Sequence, residues 1–181
     1  MQIREKDLSA SALLKLAREA VSAGVAAGTA GVLVNDRLDV AIAAGARGVH
    51  LGGSSFAAGE VTRWRGVGRA PADFLVGVSC HSVEDVRVAE KDGASYVFFG
   101  PVFDTPSKRS FGLPQGLQRL REACRAVKIP VVAIGGVNEK NAAECMKAGA
   151  AGIAAIRMFQ DALNVESLRT AISRIHAIAL D

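Results

Sequence analysis

The amino-acid sequence predicts an α/β fold, a TIM-type (β/α)8 barrel that lacks its first βα unit, and three observations carry this expectation. A motif of small residues, Gly-Ala and a short apolar run recurs: AGARGVHLG at 44–52, DGASYVFFG at 92–100 and AGAAGIAAI at 148–156, with a looser copy AGTAGVLVND at 27–36. Stretches with helical spacing lie between the copies, as in Leu117, Leu120, Cys124 and Val127. Polar residues follow nearly every apolar run. A barrel draws its site from all its βα loops, whereas an open sheet has one dominant glycine-rich loop after its first strand.

In chain order, strands are expected near Gln2–Arg4, Val32–Asp36, Val49–Gly52, Phe74–Cys80, Tyr96–Phe103, Val131–Gly135 and Ile153–Ile156. They are short and apolar, as strands buried on both faces are. In each repeat the glycine is placed to end the preceding helix in the left-handed conformation. Ser82, Asn138 and Asn164 stand at N-cap positions, each followed within two residues by Glu84, Glu139 or Glu166. Alternating strands and helices imply parallel pairing within one domain spanning residues 1–181. A closed barrel needs an eighth strand, and the length falls below the usual minimum of about 200 residues. The missing unit is therefore expected at the N-terminus, where the first strand starts without lead-in. Two strands would then lack a neighbour, and a second copy of the chain can cover such a seam, giving a homo-oligomer.

Half of the residues are apolar, enough for a sizeable core. The net charge is +4, with basic residues scattered and no aromatic stacking platform. That argues against a nucleic-acid partner and fits an anionic metabolite. The cysteines are Cys80, Cys124 and Cys145, an odd number without a Cys-x-x-Cys motif. This argues against a disulfide framework or zinc site and points to a reducing cytoplasm. The polar N-terminus shows no signal peptide, and no apolar run reaches the length of a membrane span.

The polar groups that could carry chemistry lie at strand C-termini. Gln2, Arg4 and Lys6 alternate, so an extended strand would present all three on one side as an anion clamp; the alternative is a solvated charge cluster. Asn35-Asp36 ends the second strand, where Asp36 can ligate Mg²⁺ or the pair can form a turn or helix cap. Ser79 can donate to a phosphate, and His81 can act as acid or base or simply precede the helix capped by Ser82. His50, inside GVHLG, reads as a packed strand histidine, and His176 as a surface residue of the last helix. The loop after Phe99 gathers Thr105, Ser107 and Lys108, a hydroxyl-rich segment ending in a cation and suited to closing over phosphate. Gly135 and Gly136 can let backbone N–H groups approach a phosphate, or form a plain turn.

Taken together, QIREKDL, VNDRLDVAIAAGARGVHLGG, GVSCHS, YVFFGPVFDTPSK and IPVVAIGGVN resemble the thiamine phosphate synthase family, which includes thiazole tautomerases. The resemblance covers nearly the whole chain, and the family begins with one more strand and helix. It implies a cytoplasmic transferase that joins hydroxymethylpyrimidine diphosphate to thiazole phosphate with Mg²⁺, releasing pyrophosphate. By that resemblance Gln2, Arg4, Lys6, Asn35, Ser79 and Lys108 contact the diphosphate, and Asp36 ligates the metal. Thr105, Ser107, Gly135 and Gly136 adjoin the thiazole phosphate, and Lys108 and His81 are the catalytic candidates. Three departures stand out: Ser55 replaces the second metal carboxylate, the usual eighth-strand Ser is absent with Ala155, Ile156 and Arg157 there instead, and the first unit is absent. Arg157 can take over phosphate binding as a cation. Two alternatives follow. One is a metal-independent thiazole phosphate tautomerase using His81, and the other is a non-catalytic phosphate-binding remnant.

Overall fold

The computed structural model describes residues 1–28, 31–53, 55–105 and 113–180, with side chains described as far as Ile175. Seven strands lie among them: β1 (Gln2–Ile3), β2 (Leu33–Asn35), β3 (Gly48–Leu51), β4 (Leu75–Cys80), β5 (Tyr96–Phe99), β6 (Val131–Ile134) and β7 (Gly152–Ala154). The intervening helices are α1 (Ala10–Ala26), α2 (Leu38–Ala43), α3 (Ala58–Trp64), α4 (Val83–Lys91), α5 (Gly116–Ala126), α6 (Ala142–Lys147), α7 (Arg157–Gln160) and α8 (Val165–Leu180). The expected alternation is thus realised, and every expected strand is present.

The chain divides into two compact units, Met1–Ser79 with Lys91–Tyr96, and Cys80–Glu90 with Val97–Asp181. In the first, β1, β2, β3 and β4 pair in parallel in that order, with Gln2 opposite Leu33, Asn35 opposite His50, and His50 opposite Gly77. Val34, Val49, Leu51, Phe74 and Val76 form its core with Leu13 and Ala17 of α1. All four residues of β3 are buried, as in a strand covered on both faces. In the second unit β5, β6 and β7 are parallel neighbours. Val97, Phe99, Leu120, Ala133 and Cys145 are buried there.

The repeated glycine does what its position predicted. Gly28, Gly45, Gly93 and Gly149 all have positive φ, from 63° to 102°, just beyond α1, α2, α4 and α6. A left-handed residue there turns the chain out of the helix, and only glycine does so without a Cβ penalty. The alanine that follows is buried in three copies (Ala46, Ala94 and Ala150) and leads directly into the next strand.

Two caps are as expected, and both are reciprocal. The Ser82 hydroxyl accepts from the Asp85 N–H while the Asp85 carboxylate accepts from the Ser82 N–H. Asn164 and Ser167 exchange the same pair of bonds ahead of α8. Asn138 differs: Asn141 precedes α6, and the Asn138 side chain instead accepts from Lys140 N in a local turn. Most strands are shorter than expected, and in β1 and β5 the difference changes how the following residues are placed. β1 stops at Ile3, so Arg4 and Lys6 are exposed on the segment after it and do not share a strand face with Gln2. β5 stops at Phe99, ahead of Gly100-Pro101, because proline has no N–H to extend a ladder.

Candidate active site

In the first unit, one chain of hydrogen bonds ties together the C-terminal ends of three neighbouring strands. Gln2 Nε2 donates to Asn35 Oδ1 at 2.8 Å, and Asn35 Nδ2 donates to Asp36 Oδ2 at 2.6 Å. Asp36 Oδ1 accepts from Gly52 N at 3.2 Å and from the Ser55 hydroxyl, which itself accepts from Gly52 N at 2.7 Å. Asp36 is a non-glycine residue at positive φ, 59°, where a short Asx side chain is tolerated. Its N–H donates to the His50 carbonyl at 2.9 Å, continuing the β2–β3 ladder one residue past the strand. The carboxylate is thus aimed by backbone and side chains alike.

The cluster presents oxygen donors, as a hard cation requires, but only one carboxylate. Among the described residues no group of three or more His, Cys, Asp or Glu could hold a metal ion. Asp36, with the Ser55 hydroxyl beside it, fits a Mg²⁺ that takes its remaining ligands from water and a substrate phosphate. It does not fit a cage supplied wholly by protein.

Ser79 lies near the end of β4, half-buried, with its hydroxyl 2.9 Å from His50 Nε2. His50 Nδ1 is 3.0 Å from the Tyr96 hydroxyl, and His50 is buried, as its strand setting predicted. Burial pushes the His50 pKa down to about 4, against a smaller opposing pull from the Asp36 charge. Burial also raises the Tyr96 phenol. The ring is therefore neutral at physiological pH.

In the second unit an open cleft of about 1140 Å³ is lined by Thr105, Gly135, Gly136, Asn138, Arg157 and Arg174, among others. Gly135 and Gly136 both have positive φ, 91° and 68°. A Cβ on Gly135 would enter Pro101, and one on Gly136 would meet Phe103 and the Asp104 carbonyl at 2.7 Å. The glycine pair is thus required by close backbone approach as well as by its torsions. Phe103 N donates to the Gly135 carbonyl at 3.0 Å, which fixes the Pro101–Thr105 segment against the glycines. Arg157 sits at the head of α7 in this lining, and Arg174 pairs with Glu139 at 3.1 Å. The combination of left-handed glycines, a threonine and cationic side chains suits a small phosphate. Ser107 and Lys108 lie outside the described residues.

His81 follows β4 directly and is exposed, with its Nδ1 donating to the Gly100 carbonyl. Its backbone N–H is held by Asp85 at 2.9 Å. With Nδ1 committed as a donor, Nε2 of the neutral ring carries the lone pair. Sequence reasoning did not find the His50–Ser79–Tyr96 contacts. The one signal was the single tyrosine of the chain at a strand start.

Comparison with known proteins gives a consistent picture. A family described as thiamine monophosphate synthase matches residues 1–159. The chain is 45% identical over 156 residues to a putative thiamine-phosphate synthase of Geobacter sulfurreducens, spanning 86% of this chain and 70% of that one. It is 46% identical over 156 residues to a thiamine-phosphate synthase of Methanocella arvoryzae, spanning 86% and 71%. Among solved structures it is similar to thiamine phosphate pyrophosphorylase from Pyrococcus furiosus. The TM-score is 0.83 at 32% identity, and the match covers 98% of this chain and 81% of that chain.

Proposed function

The chain belongs to the thiamine monophosphate synthase family, and we propose that it is the transferase this membership suggests. It joins hydroxymethylpyrimidine diphosphate to thiazole phosphate and releases pyrophosphate. The observation that carries this reading is the bonded series Gln2–Asn35–Asp36–Ser55, which holds one carboxylate and two amides at adjacent strand ends. An isomerase acting without metal has no evident use for it.

In this reading the carbon–oxygen bond to the diphosphate breaks first, and its electron pair leaves with pyrophosphate. The thiazole nitrogen then forms a bond to the resulting pyrimidine carbocation. Such chemistry needs charge neutralisation and alignment more than a strong base. Asp36 would hold a Mg²⁺ ion, which would supply positive charge to offset that of the departing pyrophosphate. Asn35 and Ser79 bind and orient the diphosphate, and Gln2 fixes the Asn35 amide. Arg4 and Lys6, exposed on the segment after β1, supply cations to the same anion, and the family resemblance assigns Lys108 to it as well. Thr105 with Gly135 and Gly136 receives the thiazole phosphate, and Arg157 takes over from the usual serine as a phosphate cation. Three free thiols, Cys80, Cys124 and Cys145, support a reducing cytoplasmic setting. Pyrophosphate release in the presence of Mg²⁺ that requires both substrates together tests the reading; release with either alone, or none, contradicts it.

A second reading, isomerisation of the thiazole phosphate tautomer, is favoured by the His81 geometry. Its Nε2 lone pair is available to move a proton while Gly100 holds the ring. Loss of that isomerisation in His81→Ala would support it, and unchanged turnover would exclude it.

A further inference from the structure

His50 occupies the middle of β3 at 1% exposure, where an aliphatic side chain would be the cheaper choice. Burying an imidazole and two hydroxyls is costly unless every polar atom finds a partner. Here the ring is gripped at both nitrogens, by the Tyr96 hydroxyl at Nδ1 and the Ser79 hydroxyl at Nε2. The His50 and Tyr96 ring centroids lie 5.7 Å apart. Gly77, opposite His50 on β4, makes this contact possible, because a Cβ there would enter the Tyr96 ring and touch His50 Nδ1. Four positions on three strands are therefore adapted to a polar relay whose outer end is Ser79.

We propose that His50 is a positioning residue: as the Nε2–H tautomer it donates to Ser79 Oγ while the Tyr96 hydroxyl donates to Nδ1, leaving the Ser79 proton to donate to the diphosphate. The proposal rests on the reading that Ser79 faces that diphosphate. A neutral imidazole has one donor and one acceptor nitrogen, so only two directions exist. In the reverse direction Ser79 gives its one proton to Nε2 and offers a phosphate nothing but lone pairs. An anionic ligand therefore selects the forward direction. Burial helps in two ways: it keeps the His50 ring neutral and keeps the Tyr96 proton in place.

The test uses the whole chain with Mg²⁺ and inorganic pyrophosphate as the probe. Binding is measured by calorimetry for the wild type, His50→Leu, His50→Gln, Ser79→Ala and the His50→Leu/Ser79→Ala double variant. Loss of one hydrogen bond to a charged group corresponds to about tenfold in affinity. His50→Leu and Ser79→Ala should each weaken binding by about that factor, and the double variant should bind no worse than Ser79→Ala. His50→Gln, whose side-chain amide can still donate to Ser79, should recover most of the affinity. Nitrogen chemical shifts of the His50 ring in the pyrophosphate complex should report the Nε2–H tautomer, and Tyr96→Phe should erode that preference. Wild-type affinity in His50→Leu, losses that multiply in the double variant, an Nδ1–H tautomer, or no pyrophosphate binding by the wild type would each overturn the proposal. The tautomer is read on the wild-type protein, so it decides the matter even if His50→Leu fails to fold. If the binding pattern holds but no thiamine phosphate forms, the functional reading fails and the relay stands. If turnover is normal and the tautomer is Nδ1–H, the relay fails alone.

Discussion

Acidification from pH 7 to pH 5 should destabilise the chain through His50 by a definite amount. A histidine titrates near 6.5 when unfolded, and in the folded chain the His50 pKa lies at about 4, chiefly because burial disfavours its charged form. The unfolded chain therefore binds a proton between these values that the folded chain does not. Stability from this group is complete above pH 6.5, declines as pH falls towards 4, and levels off below that. The full difference of 2.5 units corresponds to roughly 3 kcal/mol, and the span from pH 7 to 5 captures about 2 kcal/mol of it. Urea unfolding at the two pH values measures the loss. His50→Gln removes the titrating group, so the difference between wild type and variant isolates it from the carboxylates. The reasoning is refuted if the variant loses as much stability as the wild type over this interval. It also fails if the His50 ring is found protonated at pH 6 in the folded protein.

Three further outcomes follow. Gly136→Ala forces a left-handed alanine whose Cβ meets Phe103 and the Asp104 carbonyl, so its unfolding free energy from urea titration should drop by about 1–3 kcal/mol, and wild-type stability would contradict the packing described. Burial, reinforced by the Asp85 charge, pushes the Cys80 thiol up to about 12. Its native thiolate fraction at pH 8 is then roughly a thousandfold below that of an unfolded chain, and alkylation followed by mass spectrometry should find Cys80 labelled only on unfolding. Ser55→Asp supplies a second carboxylate beside Asp36 and should lower the Mg²⁺ concentration at half-maximal turnover by roughly tenfold; an unchanged requirement would show that no metal sits there.

What could be read from the sequence was what is local in the chain. The glycine beyond α1, α2, α4 and α6 and the buried alanine that follows it are set by torsion and size; the four repeats display the glycine, and three of them the buried alanine. The Ser82 and Asn164 caps are likewise decided within three residues. Asn35-Asp36 was legible because it ends an apolar strand, and Gly135-Gly136 because the pair follows one. Strand ends were less legible. β1 stops at Ile3 although the alternation of Gln2, Arg4 and Lys6 continues, because charged side chains in solvent alternate as readily as those on a strand. Asn138 and Asn141 are both competent Asx residues, and the chain turns at the first and begins α6 after the second. The His50–Ser79–Tyr96 relay was hidden because its members are 29 and 46 residues from His50 and meet only through strand register. Ser55 read from sequence as a lost carboxylate. In the structure its hydroxyl instead anchors the carboxylate that remains.

The most direct test of the account is product formation by the purified chain with both substrates and Mg²⁺, beside an Asp36→Asn variant. Asparagine tolerates the left-handed torsion at this position, so the variant keeps the turn and removes only the charge. The account predicts equal amounts of pyrophosphate and thiamine phosphate from the wild type, dependent on both substrates and on the metal. It predicts a fall of at least about a hundredfold in the variant, in keeping with the loss of a group that neutralises a leaving anion. Wild-type turnover in Asp36→Asn, or no product from the folded wild-type chain, would contradict the claim that the strand-end cluster around Asp36 is the diphosphate site.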